Sequence, residues 1–187
     1  DAEGWLHSGD RGMITVQGMV RITGRCTRLN IGEGGGHIAP EPVEECIKQA
    51  CDGISDVMML GDKRKYNVAL VTLKAVGANG ESAGTQQLDA GAKKVNPEVT
   101  TIAQAMDDKV WIDTITMAIQ AANGKVKVCR NNAFKIHKFA ILPTSFSEEG
   151  NEFTPTKKLK REVVEGKYAE IIERIYATEG FYVRCSP

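Results

Sequence analysis

The chain has 187 residues, of which 24 are Lys or Arg and 24 are Asp or Glu, so its formal net charge is zero. A neutral chain lacks the positive excess that is typical of nucleic-acid-binding domains, so we expect no nucleic-acid partner. Apolar residues make up 42% of the chain, which is enough for a globular core. No apolar run approaches the roughly 20 residues of a transmembrane helix, so no transmembrane segment is predicted.

The cysteines are few, odd in number and scattered along the chain. None lies in the Cys-x-x-Cys spacing that a structural zinc site favours, and we predict no metal site. This pattern favours reduced thiols and predicts a cytoplasmic protein, with peripheral association at the cytosolic face of a membrane left open. The cysteines are Cys26, Cys46, Cys51, Cys129 and Cys185.

The first part of the chain predicts a hairpin followed by a helix. Residues 13–16 and 19–23 favour β-structure and flank Gln17-Gly18, where glycine can supply the positive φ of a tight turn. Pro40 with nearby glutamates then indicates a helix start, and apolar residues recur at helical spacing over 43–50.

The middle of the chain predicts two paired strands and then a long polar stretch. Residues 56–60 and 67–74 are predicted strands, and the short polar turn between them favours antiparallel pairing. Residues 76–96 are rich in Gly, Ala, Ser, Asn and Gln, which indicates a linker or an exposed loop. Asn96-Pro97-Glu98 predicts a helix start, with Asn96 as its cap.

The last part of the chain predicts two helices around one strand. Apolar residues at helical spacing predict helices over 111–123 and 163–176. Residues 135–142 are a predicted strand closed by Pro143. The predicted fold class is therefore α+β, a small antiparallel sheet flanked by helices and preceded by a β-hairpin.

Two segments near the beginning carry residues suited to binding a nucleotide. Asp10 follows Gly9 at the end of a turn, where its carboxylate can accept two hydrogen bonds from the hydroxyls of a ribose. Arg25 follows Gly24 after a predicted strand and can reach a phosphate. A turn or cap role for Asp10 and a surface ion pair for Arg25 are the alternatives.

Two later segments suit close approach of a ligand and neutralisation of its charge. Gly34, Gly35 and Gly36 would let a ligand lie against the backbone, or they form a plain flexible connection. Pro155 stiffens a loop that carries several lysines before a helix, and one lysine there could bridge two anions. A solvated basic turn is the alternative.

In their order and spacing these segments resemble the motifs of the adenylate-forming enzymes, a superfamily that includes the acyl-CoA synthetases. Residues 59–74 and a helical insertion between residues 75 and 130 resemble the long-chain and very-long-chain (bubblegum-type) fatty acyl-CoA synthetases most. The matching motifs are Gly4-Trp5-Leu6-His7-Ser8-Gly9-Asp10, Gly24-Arg25, Gly34-Gly35-Gly36-His37-Ile38-Ala39-Pro40 and Thr154-Pro155-Thr156-Lys157-Lys158-Leu159-Lys160-Arg161.

The resemblance implies nucleotide-binding and hinge roles for three residues. Asp10 would hold the ribose hydroxyls of ATP or acyl-AMP, and Arg25 would support the ribose and phosphates. Thr27 occupies the hinge position, where the family usually has Asp or Lys.

The resemblance also implies roles in the two chemical steps. Lys158 would be the adenylation lysine, an assignment that rests on the motif register because nothing in the local sequence separates it from Lys157. Gly34, Gly35 and Gly36 would line the tunnel for the pantetheine arm of CoA.

The implied enzyme is an ATP-dependent long-chain fatty acid–CoA ligase that uses fatty acid, ATP, CoA and Mg²⁺. Residues 1–25 would end a large N-terminal domain, and residues 26–187 would form the mobile C-terminal domain, with its insertion at about 76–130. We expect the chain alone to be inactive. A non-catalytic nucleotide-binding relative is the main alternative, and a nucleic-acid-binding module on residues 157–161 is a weaker one.

Overall fold

The computed structural model describes residues 4, 10–25, 30–31, 37–125, 128–129 and 131–185. The β-strands are Asp10–Ile14 (β1), Val20–Arg25 (β2), Asn30–Ile31 (β3), His37–Ile38 (β4), Ile54–Leu60 (β5), Asn67–Leu73 (β6) and Ile136–Ile141 (β7). The α-helices are Glu41–Ala50 (α1), Ile102–Ala105 (α2), Lys109–Gly124 (α3), Arg161–Lys167 (α4) and Ala169–Ala177 (α5). Within these residues no helix combines the length and apolarity needed to cross a bilayer.

Strands β1 and β2 form the predicted antiparallel hairpin. Its turn contains Gly18 at φ 78°, the left-handed conformation that glycine adopts without a steric penalty. The register places Asp10 opposite Arg25 and Ile14 opposite Val20. The hairpin and the helix predicted after Pro40 are both confirmed.

Strands β5, β6 and β7 form the main sheet, with β6 in the centre. The β5–β6 pair is antiparallel, as predicted, whereas β7 pairs with β6 in parallel. A parallel neighbour requires a crossover, and the chain between β6 and β7 contains α3. The α+β class is confirmed, with a mixed rather than a purely antiparallel central sheet.

The core lies between this sheet and the helices. All seven residues of β6 are buried, and α1 packs against both β5 and α3. Trp111 on α3 is fully buried against Gly53, at a distance that leaves no room for a larger residue there. These contacts fix α1 and α3 on the sheet and so form the support for the loops described below.

The segment between β6 and α2 is packed against the domain, so it is not a detached linker. Leu88 and Ala92 are fully buried within it, although its polar residues are largely exposed. The predicted helix start at Asn96 is wrong, because α2 begins only after Thr101, which forms a capping box with Gln104. Asn96 instead donates hydrogen bonds to the carboxylate of Asp108, the cap residue of α3.

The single helix predicted over residues 163–176 is instead two helices, α4 and α5, that meet at Tyr168. The backbone of Tyr168 leaves the helical conformation at φ −107° and ψ 21°. Its buried side chain donates a hydrogen bond to Glu152 Oε1, at 3.3 Å. The helical spacing of apolar residues could not predict this break, because Glu152, the hydrogen-bond partner of Tyr168, lies outside both helices.

Candidate functional site

The lysine loop, residues 153–160, is a closed turn that precedes α4. An antiparallel bridge between Phe153 and Leu159 closes its base. Inside it, the amide of Thr154 donates to the carbonyl of Lys158 at 2.9 Å, and the amide of Lys157 donates to the carbonyl of Thr154 at 2.7 Å. The loop therefore has a hydrogen-bonded backbone of its own.

The Thr-Pro-Thr sequence at the start of this loop explains its shape. Thr154 Oγ1 accepts a hydrogen bond from the amide of Lys158 at 3.0 Å and lies 3.0 Å from Thr156 Oγ1. Pro155 stands between the two threonines and fixes its own φ near −65°. The Thr154 hydroxyl thus takes the place of a backbone carbonyl as the acceptor for the Lys158 amide. Both the amide and the carbonyl of Lys158 are therefore hydrogen-bonded to Thr154.

The two adjacent lysines of the loop have different surroundings. Lys157 Nζ donates a hydrogen bond to the carbonyl of Asn79 at 2.8 Å. Both lysines are exposed, but within the described part of the chain the Lys158 ammonium has no hydrogen bond or ion pair. Of the two ammonium groups, only that of Lys157 therefore has a partner among the described residues, a distinction that the local sequence could not make.

The buried carboxylate of Glu152 supports the lysine loop. Glu152 is only 1% exposed and accepts hydrogen bonds from the amide of Ser147 at 3.1 Å, from Lys167 and from Tyr168. The hydrogen bond to Glu152 raises the pKa of Lys167, and burial raises the pKa of Tyr168. The carboxylate therefore joins the loop to the junction of α4 and α5.

Two clefts flank the side chain of Lys157. One has a volume of about 400 Å³ and lies between α1 and the lysine loop, and the other, of about 340 Å³, lies beside residues 78–80. Lys157, Asp56 and Phe153 line both clefts. The first cleft also contains Arg161, which is bonded to Glu44 of α1.

The other predicted site residues fall at the beginning of the chain. Asp10 and Arg25 are opposite each other in the β1–β2 register, so the fold brings these two predicted nucleotide-binding positions together. The predicted hinge residue, Thr27, lies outside the described residues. So do the three glycines of the predicted CoA loop, Gly34, Gly35 and Gly36.

The described residues do not offer a ready metal site. No group of three or more His, Cys, Asp or Glu side chains among them could hold a metal ion. The Mg²⁺ that the resemblance implies usually takes one or two carboxylates together with substrate phosphates, and no cluster of three or more protein ligands for it lies among the described residues.

The fold resembles those of adenylation domains in solved structures. The adenylation domain of a carboxylate reductase from Mycobacterium chelonae matches with a TM-score of 0.71 at 16% identity, covering 95% of this chain and 24% of that one. The corresponding domain of a carboxylic acid reductase from Segniliparus rugosus, solved with AMP and a co-purified carboxylic acid, matches at 0.68 and 17% with the same coverage. The fold is therefore one that adenylation domains contain.

Sequence comparison identifies the family within that class. The model of the AMP-binding enzyme C-terminal domain matches residues 31–134, more than half of the chain, and the chain belongs to this family. The matched part ends before the lysine loop, so the role of Lys158 does not follow from the family match.

Curated relatives extend the similarity over nearly the whole chain. The long-chain-fatty-acid–CoA ligase ACSBG2 of Gallus gallus is 38% identical over 183 residues, or 95% of this chain and 24% of that protein. The ligase ACSBG1 of Mus musculus is 36% identical over 182 residues, or 94% of this chain and 25% of that protein. The chain spans about a quarter of the length of these relatives.

Sequence reasoning missed the residues that hold the lysine loop in place. Glu44 is one of the glutamates near the predicted helix start, and Glu152 and Asn79 belong to none of the four motifs. The one available signal was Arg161, which ends the motif that contains Lys158. A buried arginine needs an acidic partner, but the identity of that partner depends on the fold.

Proposed function

We propose that this chain is the C-terminal part of an ATP-dependent long-chain fatty acid–CoA ligase. A carboxylate oxygen of the fatty acid attacks the α-phosphorus of ATP, and the bond from that phosphorus to pyrophosphate breaks. The thiol sulfur of CoA then attacks the acyl carbon of acyl-AMP, the bond from that carbon to the phosphate oxygen breaks, and AMP and the thiol proton are released. The names of the relatives support this substrate class, and because the chain spans about a quarter of their length, the proposed activity belongs to the complete enzyme.

The observation that supports this proposal most is the environment of Lys158. Acyl-AMP formation brings a carboxylate and a phosphate together, and an ammonium placed between them lowers the cost of the developing charge. An exposed amine on a hydrogen-bonded turn can meet a ligand without first breaking another contact. Lysine concentrates its charge on one small group, which suits contact with oxygens of two different anions.

The remaining roles extend the proposal to the rest of the chain. Asp10 and Arg25 bind the ribose and phosphates of the nucleotide, Thr27 serves as the hinge, and the CoA-tunnel loop consists of Gly34, Gly35 and Gly36. The opposed positions of Asp10 and Arg25 across the hairpin support a shared ligand for these two residues.

The exposed apolar residues of the hairpin support the proposed domain division. A two-stranded hairpin is at best marginally stable alone, and apolar side chains exposed on it are suited to contact with a further domain. We assign residues 1–25 to the end of that domain and residues 26–187 to the mobile one. The large exposed apolar residues of the hairpin are Met13, Ile14, Val16, Met19, Val20 and Ile22.

The test compares Lys158→Ala with the unmodified enzyme in the complete protein. We expect acyl-AMP formation, measured by ATP–pyrophosphate exchange, to fall about 100-fold or more, a loss typical for removal of a transition-state charge partner. Thioester formation from supplied acyl-AMP should stay within about twofold, because Lys158 acts only on the first step.

Lys160→Ala is the matched control, since Lys160 lies in the same loop and bonds to Asn151. Equal loss of both half-reactions in Lys158→Ala would contradict the role of Lys158. ATP binding by the unmodified enzyme without any acyl-AMP formation would support the non-catalytic alternative.

A further inference from the structure

The side chain of Lys157 connects the lysine loop to a second loop that is distant in sequence. Its Nζ lies 2.8 Å from the carbonyl oxygen of Asn79, a residue 78 positions earlier. The side-chain stem passes close to Gly80, where an added Cβ would lie 3.3 Å from Lys157 Cδ. The contact therefore has two parts, a hydrogen bond at the ammonium and close packing along the stem.

The acceptor of this bond is itself held in place. Asn79 Oδ1 accepts hydrogen bonds from the amides of Glu81 at 2.9 Å and Ser82 at 2.8 Å, which closes a tight turn. The amide of Glu148 also donates to the carbonyl of Gly80 at 2.8 Å. The turn around Asn79 is thus tied both to itself and to the segment that leads into the lysine loop.

The backbone conformation of Lys157 links its contact with Asn79 to the position of Lys158. Lys157 has φ 56°, a left-handed conformation that side chains with a Cβ rarely adopt. Its hydrogen bond to Asn79 and the bond from its amide to Thr154 hold it there. Because φ and ψ of Lys157 set the direction in which the chain enters Lys158, a shift of the backbone at Lys157 would also shift Lys158.

We propose that Lys157 is a positioning residue for acyl-AMP formation, which acts through Lys158 by anchoring the lysine loop to the turn at Asn79. This inference rests on the proposed function of Lys158. The two adjacent lysines have different roles. The ammonium of Lys157 bonds to a backbone carbonyl of the protein, and the ammonium of Lys158 contacts the ligand.

The experiment uses the complete enzyme with Lys157→Met, which keeps the stem and removes the donor. We expect the kcat of acyl-AMP formation to fall about tenfold, since small misplacements of a catalytic group reduce rates by such factors. The KM for ATP and the rate of thioester formation from supplied acyl-AMP should each change by less than about twofold. Lys157→Arg keeps a donor on a long stem and should recover at least about half of the lost rate.

A variant on the other side of the contact tests the same link independently. Asn79→Ala removes the oxygen that orders the acceptor turn and should lower acyl-AMP formation in the same selective way, whereas Asn79→Asp keeps an acceptor and should preserve it. Lys160→Met is the matched control, because Lys160 belongs to the same loop but bonds to Asn151.

The outcomes separate this inference from the proposed function. If Lys158→Ala abolishes acyl-AMP formation and Lys157→Met has no effect, the positioning role is wrong and the proposed function stands. If Lys158→Ala has no effect, the proposed function itself fails. Loss in Lys157→Met as complete as in Lys158→Ala, equal loss of both half-reactions, or no recovery with arginine would each overturn the positioning role.

Discussion

Arg161 and Glu44 form a largely buried ion pair between the first residue of α4, directly after the lysine loop, and the first turn of α1. Arg161 Nη2 lies 2.6 and 2.7 Å from the two carboxylate oxygens, and Nη1 donates to the carbonyl of Met59 at 3.1 Å. Glu44 also accepts a hydrogen bond from the amide of Met59, at 2.6 Å. Both residues therefore bond to one position of β5, and α1, α4 and the sheet meet at this point.

Removal of one member of this pair should destabilise the chain. Arg161→Met leaves the Glu44 carboxylate without its cation in a buried place, a change that costs about 3 kcal/mol of unfolding free energy. Urea unfolding followed by circular dichroism measures the loss. The matched control is Arg64→Met, because Arg64 pairs with Glu173 at an exposed site, where an ion pair contributes less than about 1 kcal/mol. Equal losses in the two variants would contradict the importance of burial.

The carboxylate of Glu152 should matter for both stability and catalysis. In the unmodified chain the Glu152 carboxylate accepts hydrogen bonds from Ser147, Lys167 and Tyr168. In Glu152→Gln the side-chain NH₂ group faces one of these donors, which should lower the free energy of unfolding by about 1–3 kcal/mol. The looser loop should also slow acyl-AMP formation in the complete enzyme. Glu148→Gln is the control, since Glu148 is exposed in the adjacent segment and should leave both quantities unchanged. Unchanged stability in Glu152→Gln would argue against a supporting role.

Two glycines should respond to alanine in opposite directions. A Cβ at Gly53 would lie 2.5 Å from Trp111 Cη2, so Gly53→Ala should destabilise the chain by about 1–3 kcal/mol through overpacking. A Cβ at Gly166 in α4 meets nothing within 4 Å, so Gly166→Ala should stabilise it by about 0.5–1 kcal/mol. Thermal unfolding distinguishes the two, and a shift of the same sign in both variants would refute the packing argument.

The buried thiol of Cys185 should make stability depend on pH in the alkaline range. Burial raises the pKa of Cys185 from 9.0 to about 11, so the unfolded chain loses this proton at a lower pH than the folded chain does. Stability from this group is therefore intact below pH 9 and is lost as the pH rises toward 11. Unfolding in urea at about pH 8 and about pH 10 should show a loss of about 1 kcal/mol that is absent in Cys185→Ala. An identical pH dependence in the two proteins would exclude Cys185 as its source.

Local sequence signals predicted the elements that depend on neighbouring residues alone. Gly18 predicted the hairpin turn, Pro40 predicted the start of α1, and the apolar spacing around Trp111 predicted α3. Each of these features arises from backbone conformation or side-chain period within a few residues. The false helix start at Asn96 shows the limit, since a cap residue is effective only when the helix follows it directly.

The sequence by itself determined the α+β class, the family resemblance and the motif that contains Lys158. Only the tertiary structure decided that Lys157 bonds to Asn79 while its neighbour Lys158 does not, that β7 runs parallel to β6, and that Glu44 pairs with Arg161 across 117 positions. Propensities and motifs act over short stretches of chain, whereas the partner of a buried charge or of a lysine ammonium is chosen by where packing places distant segments.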